Sequence, residues 1–385
     1  MSEEIIESVS GISRRSWLKM AGIGASAASL NLLGGCGRSA AVADTADEAM
    51  NDVAILSSNE NPYGPSPMAI EAMRNSVADV YRYTYPSVVA LGEQIAAREG
   101  VAPEQVLITN GSTPLLATFS MWAMKNEKKI LTSSLTYEGV PRVAEAFGAE
   151  IDYTPITADL EYDMETIASK VAPGTCVYLC NPNNPTGKTI DQAVLDAFVD
   201  TVSQQVPIFV DEAYLDMADD YPAGVMTKYV EMGRPVIVAR TFSKIYAMAG
   251  QRIGYALMPA DMAMEYRGYG HLSNVNKVGL VGAMAALDDT AYFEEMRLKM
   301  QAGRAKLIAM AADLGRPIAS DPQGSFIYMD LGMSNADFAA QMMEKGVRVV
   351  GARWAEKPEW TRICIGLDHE IEKCHAAAKE ILTSI

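Results

Sequence analysis

Three features of the chain point to an open, mostly parallel α/β sheet in a large domain, followed by a smaller α+β domain. Between Gln105 and Met258, short apolar runs alternate with amphipathic stretches, the pattern of parallel strands joined by helical crossovers. From about Leu280 helical patterns predominate, and only short strands return near the C-terminus. The length of 385 residues, 49% of them apolar and 21% charged, gives two or three structural units with ample core.

Composition also excludes. Lys plus Arg is 32 against 48 Asp plus Glu, a net charge of −16 that repels nucleic acid and anionic lipid at long range. Three His and five Cys lie scattered without CxxC or HxxxH spacing, so no metal site is expected.

Taken in order, the first element is a targeting pattern. Ser13-Arg14-Arg15-Ser16-Trp17-Leu18-Lys19 precedes Met20–Leu33, an uncharged stretch too short for the ~20 residues of a membrane-spanning helix. Residues 1–43 resemble a twin-arginine signal peptide, which implies export by the twin-arginine translocation machinery to the periplasm. Two processing sites compete. Ala41-Val42-Ala43 suits signal peptidase, and Leu33-Gly34-Gly35-Cys36 resembles a lipobox that would acylate Cys36 and tether the protein to a membrane.

Residues 44–80 are expected to join the small domain, residues 81–280 to form the large, ligand-binding domain, and residues 281–385 the small one. Strands are expected at Gln105–Thr109, Lys129–Ser133, Glu150–Thr154, Cys176–Cys180, Ile208–Val210, Val236–Arg240 and Ile253–Met258. Helices are expected at Ser112–Lys125, Gly139–Phe147 and Asp191–Ser203, and later short strands at Gly324–Asp330, Arg348–Val350 and Arg362–Ile365. Cys176 and Cys180 sit on one extended strand, too far apart to bridge. With Cys364 and Cys374 they read as buried apolar thiols.

Four polar motifs fall at the carboxyl ends of these strands, where open α/β sheets bind ligands. Asn110-Gly111-Ser112-Thr113 is a strand-to-helix turn whose N–H groups and hydroxyls suit an anion. Asn181-Pro182-Asn183-Asn184-Pro185-Thr186-Gly187 is a rigid loop rich in amides that hydrogen-bond ligands. Asp211-Glu212-Ala213-Tyr214 puts a carboxylate and a phenol at the sheet edge, although an acid there equally suits a helix cap. Thr241-Phe242-Ser243-Lys244, with Arg252 eight residues beyond the lysine, combines a nucleophilic amine with hydroxyl and guanidinium groups for a phosphate. Each motif alone has a bland explanation; the four together do not share one.

In this order, with Tyr137 between them and Thr361-Arg362-Ile363-Cys364-Ile365-Gly366 late in the chain, the motifs resemble class I/II, fold-type I pyridoxal-phosphate-dependent aminotransferases. The segments Leu56–Ser66 and Ala249–Tyr255 look like the histidinol-phosphate aminotransferase branch, and the match runs from about Ile55 to the C-terminus. The resemblance implies pyridoxal 5'-phosphate as cofactor, the PLP-dependent transferase fold, and a homodimer. It makes Lys244 the Schiff-base lysine and proton shuttle, and Asp211 the partner of the pyridine nitrogen. Tyr214 and Asn184 would hydrogen-bond the ring hydroxyl and Tyr137 would stack on the ring. The phosphate would lie among Gly111, Ser112, Thr113, Thr241, Ser243 and Arg252. Arg362 would clamp the substrate carboxylate, with Asn184 and Tyr63 lining the substrate site. Tyr85 would reach the other subunit's phosphate. The family's Arg-Tyr-Pro is split here, so the choice between Tyr83 and Tyr85 stays open.

One departure bears on substrate. The segment Gly346-Val347-Arg348-Val349-Val350-Gly351 resembles one that ends, in that branch, in an arginine for the distal phosphate. Here the place is Val350, which argues against histidinol phosphate unless Arg348 or Arg353 compensates. The expected function is an exported aminotransferase exchanging an amino group between an amino acid and a 2-oxo acid. The alternatives are a PLP-dependent decarboxylase or lyase on the same scaffold and, in another class, a non-catalytic exported lipoprotein with a relic fold. Retention of Lys244 and Asp211 favours an enzyme.

Overall fold

The computed structural model describes residues 53–270, 272 and 274–383. The twin-arginine pattern, Cys36 and both processing sites lie outside the described residues. The strands, in chain order, are β1 Ala54–Ile55, β2 Val106–Thr109, β3 Lys129–Ser133, β4 Ile151–Thr154, β5 Thr175–Cys180 and β6 Ile208–Asp211. Then come β7 Val236–Thr241, β8 Gly254–Leu257, β9 Phe326–Asp330, β10 Val347–Arg348 and β11 Trp360–Cys364.

A 7-stranded sheet runs in the order β2-β8-β7-β6-β5-β3-β4. Strands β4, β3, β5, β6 and β7 are parallel, as the strand–helix alternation predicts. Every residue of β5 is buried, the two-faced burial of an interior parallel strand, which is why its sequence is an unbroken apolar run. Apolar clusters pack on both sides of the sheet, one containing Leu179, Val210 and Val238, the other Tyr178, Phe209 and Ile237.

The exception to parallel order is β8. It pairs antiparallel with both β7 and β2, with Gly254 opposite Thr241 on one side and Thr109 on the other. The chain therefore enters β8 at the edge where β7 and β2 leave the sheet, and Arg252 arrives beside residues 110–113 and 241–244. Gly254 permits the close approach. A Cβ there would stand 2.6 Å from the Gly111 carbonyl carbon and 2.7 Å from Ser112 N, nearer than packed atoms come.

Two small sheets complete the architecture. β1 runs parallel to β10, and β9 pairs antiparallel with β11 so that Arg362 faces Tyr328. Around them the helices Thr290–Asp313, Asn335–Glu344 and Asp368–Leu382 enclose a second core that includes Leu56, Phe326, Phe338 and Ile363. Strand β1 has only two residues, too few to carry a readable period.

Several boundaries differ from the sequence expectation for identifiable reasons. Asp191 stands outside its helix as the cap, its carboxylate accepting the Val194 N–H at 3.0 Å. The helix expected from Gly139 begins at Pro141, whose missing N–H costs nothing at a first helical position. The strand expected over Arg348–Val350 ends at Arg348, and the Val350 carbonyl accepts the Thr361 hydroxyl instead. Cys176, Cys180, Cys364 and Cys374 are buried free thiols. No helix among the described residues is long and apolar enough to cross a membrane.

Candidate active site

The ends of β6 and β7, the turn after β2 and the approach to β8 open onto one cavity of about 520 Å³, which residues 57–60 and Arg362 of β11 also line. Lys244, Arg252, Arg353 and Arg362 bring cations to it, and Asp211 and Glu60 bring carboxylates. In a chain of net charge −16, this excess of positive charge in a concave site favours an anionic ligand.

One end of the cavity is an anion cradle. Thr241 Oγ1 donates to Ser243 Oγ at 3.0 Å and accepts the Ser243 N–H at 3.1 Å, which folds the turn after β7 tightly. Arg252 sits in the left-handed region at φ 56, a strained conformation for a side chain of its size. Its Nη1 donates to Ser243 Oγ at 3.3 Å and to the Ala249 carbonyl at 2.7 Å. Across the cradle, Ser112 caps the helix Thr113–Lys125 without a side-chain cap bond, leaving its hydroxyl and the Thr113 N–H for a ligand, since Pro114 has no N–H and the Leu115 N–H donates to the Ser112 carbonyl. Gly111 at φ 83 is required twice over. The left-handed backbone favours glycine, and a Cβ there would collide with the Arg252 guanidinium.

The other end holds the reactive set. Lys244 Nζ donates to the Asn59 carbonyl at 3.0 Å. Desolvation, with the Arg362 charge beside it, pulls the Lys244 amine down to about 8. Asp211 is buried at the end of β6, its Oδ1 accepting the Ala213 N–H at 3.2 Å and its Oδ2 the Tyr178 hydroxyl at 3.5 Å. Burial pushes its carboxyl up to about 6. Tyr214 Oη accepts Asn59 Nδ2 at 2.8 Å and Asn184 Nδ2 at 3.5 Å. Arg362 is buried, with Nη1 on Asn184 Oδ1 at 2.6 Å and Nη2 on the Ser57 carbonyl at 2.7 Å. Tyr137 also lines the cavity, and burial raises its hydroxyl above the ordinary tyrosine value, with Asp211 adding to the effect.

Most of the sequence-expected residues thus converge: Lys244, Asp211, Tyr214, Asn184, Tyr137, Ser112, Thr113, Thr241, Ser243, Arg252 and Arg362 line the cavity, and Gly111 abuts Arg252. Tyr63 is not among the residues that line this cavity. Asn61 Oδ1 accepts the Tyr63 N–H at 3.0 Å while Asn61 Nδ2 donates to the Ile245 carbonyl at 2.9 Å. The partly buried Tyr63 ring packs against the second core, with Lys299 Nζ 5.0 Å from its centroid. Tyr85 begins the helix Tyr85–Glu99 on an exposed surface shared with Tyr83, outside this cavity. Sequence reasoning missed Ser57, Ser58, Asn59 and Glu60 as lining residues although it quoted their segment, because no strand or helix period indicates which way an irregular segment faces. Arg353 lines the cavity beside them, paired with Glu138 at 2.7 Å.

Comparison with known proteins identifies the family of the chain. Residues 51–381 match the family of aminotransferases class I and II. A histidinol-phosphate aminotransferase of Moorella thermoacetica is 32% identical over 337 residues, spanning 86% of this chain and 86% of that protein. Histidinol-phosphate aminotransferase 2 of Pseudomonas fluorescens is 34% identical over 331 residues, 85% of this chain and 88% of that protein. The crystal structure of histidinol-phosphate aminotransferase from Sinorhizobium meliloti in complex with pyridoxal-5'-phosphate matches with a TM-score of 0.77 at 26% identity, over 91% of this chain and 99% of that one. The chain therefore belongs to the class I and II aminotransferases. It is a transaminase that exchanges an amino group between an amino acid and a 2-oxo acid, with pyridoxal 5'-phosphate as cofactor.

The donor set fits that cofactor. Asp211 is a buried carboxylate with one long side-chain partner and no ion pair, a site that a protonated ring nitrogen would satisfy. The cradle of Ser112, Thr241, Ser243 and Arg252 offers hydroxyls and a guanidinium to a phosphate. Lys244 offers an amine of lowered basicity between them.

Proposed function

We propose that Lys244 is the residue to which the cofactor attaches and which moves the proton at the substrate α-carbon. The observation that carries this reading is that Lys244, Asp211 and Arg362 line one cavity with the anion cradle. When bound, pyridoxal phosphate supplies the electron sink for breaking the α-carbon–hydrogen bond and carries the amino group between substrates. Arg362 binds the substrate carboxylate and orients the α-hydrogen toward Lys244, while Asn184 holds the guanidinium in place. With its pKa near 8, the Lys244 amine is neutral in a useful fraction of molecules near neutral pH and is able to accept that proton. Asp211 would hold positive charge on the ring nitrogen of the bound cofactor, and Tyr137, which lines the same cavity, would flank the ring.

The named relatives suggest the histidinol-phosphate aminotransferase branch, yet Val350 is buried and uncharged. Arg353 is the remaining cation at the cavity, and Glu138 already engages it. We therefore expect an ordinary amino acid to be a better donor than histidinol phosphate. The test is an absorbance scan of purified protein loaded with cofactor, repeated with a panel of amino acids and histidinol phosphate, in wild type and Lys244→Ala. A yellow band that bleaches with particular amino acids in the wild type, and not in Lys244→Ala, is the expected result. A band that no amino acid bleaches overturns the transamination role of Lys244.

Residues 1–43 act as a twin-arginine leader and direct the enzyme to the periplasm, Cys36 offering a lipid anchor if it is acylated; the Arg14-Arg15 pattern supports this. Replacing Arg14 and Arg15 with lysine should hold the protein in the cytoplasm on fractionation, and unchanged export contradicts the leader. We propose that residues 44–80 and 281–385 make a small domain and residues 81–280 a large one; the second core, which holds Leu56, Phe326 and Phe338, supports that division, while Ala69 and Ala283 pack in the core of the large sheet. The enzyme is a homodimer, supported by the exposed aromatic surface of Tyr81, Tyr83 and Tyr85.

A further inference from the structure

Asn59 lies buried in the cavity wall with every polar group engaged. Its Nδ2 donates to Tyr214 Oη at 2.8 Å. Its N–H donates to Cys364 Sγ at 3.1 Å, and the Cys364 thiol donates back to Asn59 Oδ1 at 2.8 Å. Its carbonyl accepts Lys244 Nζ at 3.0 Å. Its backbone stands at φ 54, a left-handed conformation that Asn adopts more readily than most residues.

Donor counting fixes the directions of these bonds. The Cys364 sulfur accepts the Asn59 N–H, so its own proton goes to Asn59 Oδ1, which leaves Nδ2 for Tyr214. Arg362 occupies Asn184 Oδ1, so Asn184 likewise turns its Nδ2 toward Tyr214. The Tyr214 oxygen thus receives amide donors from two sides. An amide nitrogen accepts nothing, so the tyrosine's own proton is left for the cavity.

We propose that the Asn59–Cys364 pair is a positioning device that aims the Tyr214 hydroxyl proton at the bound cofactor and thereby sets the proton affinity of the cofactor's linkage to Lys244. The proposal rests on the reading of Lys244 as the cofactor-bearing residue. A hydroxyl donated to a negatively charged cofactor oxygen competes with the linkage proton for that oxygen. Losing the donation therefore tightens the linkage proton. The thiol serves to hold the amide, so serine at position 364 preserves the reciprocal pair and alanine does not.

The test titrates the visible band of the cofactor-loaded enzyme with pH. The proteins compared are wild type, Asn59→Ala, Cys364→Ala, Cys364→Ser, Tyr214→Phe and the Asn59→Ala/Tyr214→Phe double variant. Tyr214→Phe and Asn59→Ala should each raise the linkage's proton affinity, by about tenfold for the tyrosine, and the double variant should fall well short of their sum. Cys364→Ala should move the midpoint in the same direction and Cys364→Ser should restore it. If Asn59→Ala does not fold, the two Cys364 variants carry the comparison. A wild-type midpoint in Asn59→Ala and Cys364→Ala, or full additivity with Tyr214→Phe, overturns the device while leaving the Lys244 reading intact. A wild type that never develops the band defeats the Lys244 reading, and this proposal with it.

Discussion

Asp211 is a carboxylate held where charge is least comfortable. Burial raises its folded-state pKa from 3.8 to about 6, the Ala213 N–H and the Lys244 charge offsetting only part of the cost. The folded state therefore binds the proton more tightly than the unfolded chain. Its contribution to stability is full below the unfolded pKa and is lost as pH rises through the folded one. Above that window the ionised side chain costs about 3 kcal/mol in the cofactor-free protein, taking about 1.4 kcal/mol per pH unit. Asp211→Asn, free of cofactor, should melt above the wild type at about pH 8, and the gap should close below about pH 4. Thermal melts across that range check it, and a variant melting no higher than wild type at the alkaline end would sink the assignment.

At the scale of elements, the site depends on two strands ending in register. Asp211 of β6 pairs with Ala239 of β7, and the Glu212 N–H continues the ladder to the Ala239 carbonyl at 2.9 Å. Strand alternation then sends Asp211 and Thr241 to the cavity and their neighbours Glu212 and Arg240 away from it. There Arg240 is buried, with Nε on Glu212 Oε2 at 2.9 Å and Nη1 on Glu99 Oε1 at 2.9 Å. Tyr255 of β8 donates to the same Glu99 oxygen at 3.1 Å. This clamp joins the ends of β6, β7 and β8 to the last turn of the helix Tyr85–Glu99. Arg240→Met strands two carboxylates out of water and should destabilise the fold by about 3–5 kcal/mol. Denaturant unfolding measures this, and a loss under about 1 kcal/mol would mean that the clamp is not holding the strand ends.

Across the whole molecule, the unexplained surface is the aromatic one. Tyr83 is fully exposed, Tyr81 is 73% and Tyr85 76% exposed, and Val77, Val80 and Val89 extend the apolar area. A soluble chain rarely leaves such a patch bare. If the proposed dimer forms through this patch, sedimentation should give about twice the 41.5 kDa mass of one chain for the unprocessed protein, and Tyr83→Glu should shift it toward the monomer by placing a charge in the proposed interface. A wild type that sediments as a monomer at assay concentrations contradicts the dimer.

The strands that bear the chemistry and the polar residues at their ends are legible in the apolar runs and where those runs stop. Val177–Leu179, Ile208–Val210 and Val236–Val238 are apolar because both sheet faces are covered, and the polar motifs begin where that burial stops. Lys244, Asp211 and Arg252 are legible for that reason, each following an apolar run in a way that burial alone does not explain, whereas Arg362 is legible through the family resemblance of its segment. The antiparallel run of β8, the packing of Tyr63 against the second core and the meeting of Asn59 with Tyr214, Cys364 and Lys244 arise only on folding. Those outcomes depend on contacts between segments distant in sequence, Asn59 and Cys364 being 305 residues apart, and no local period records which way an irregular segment faces once two cores close around it.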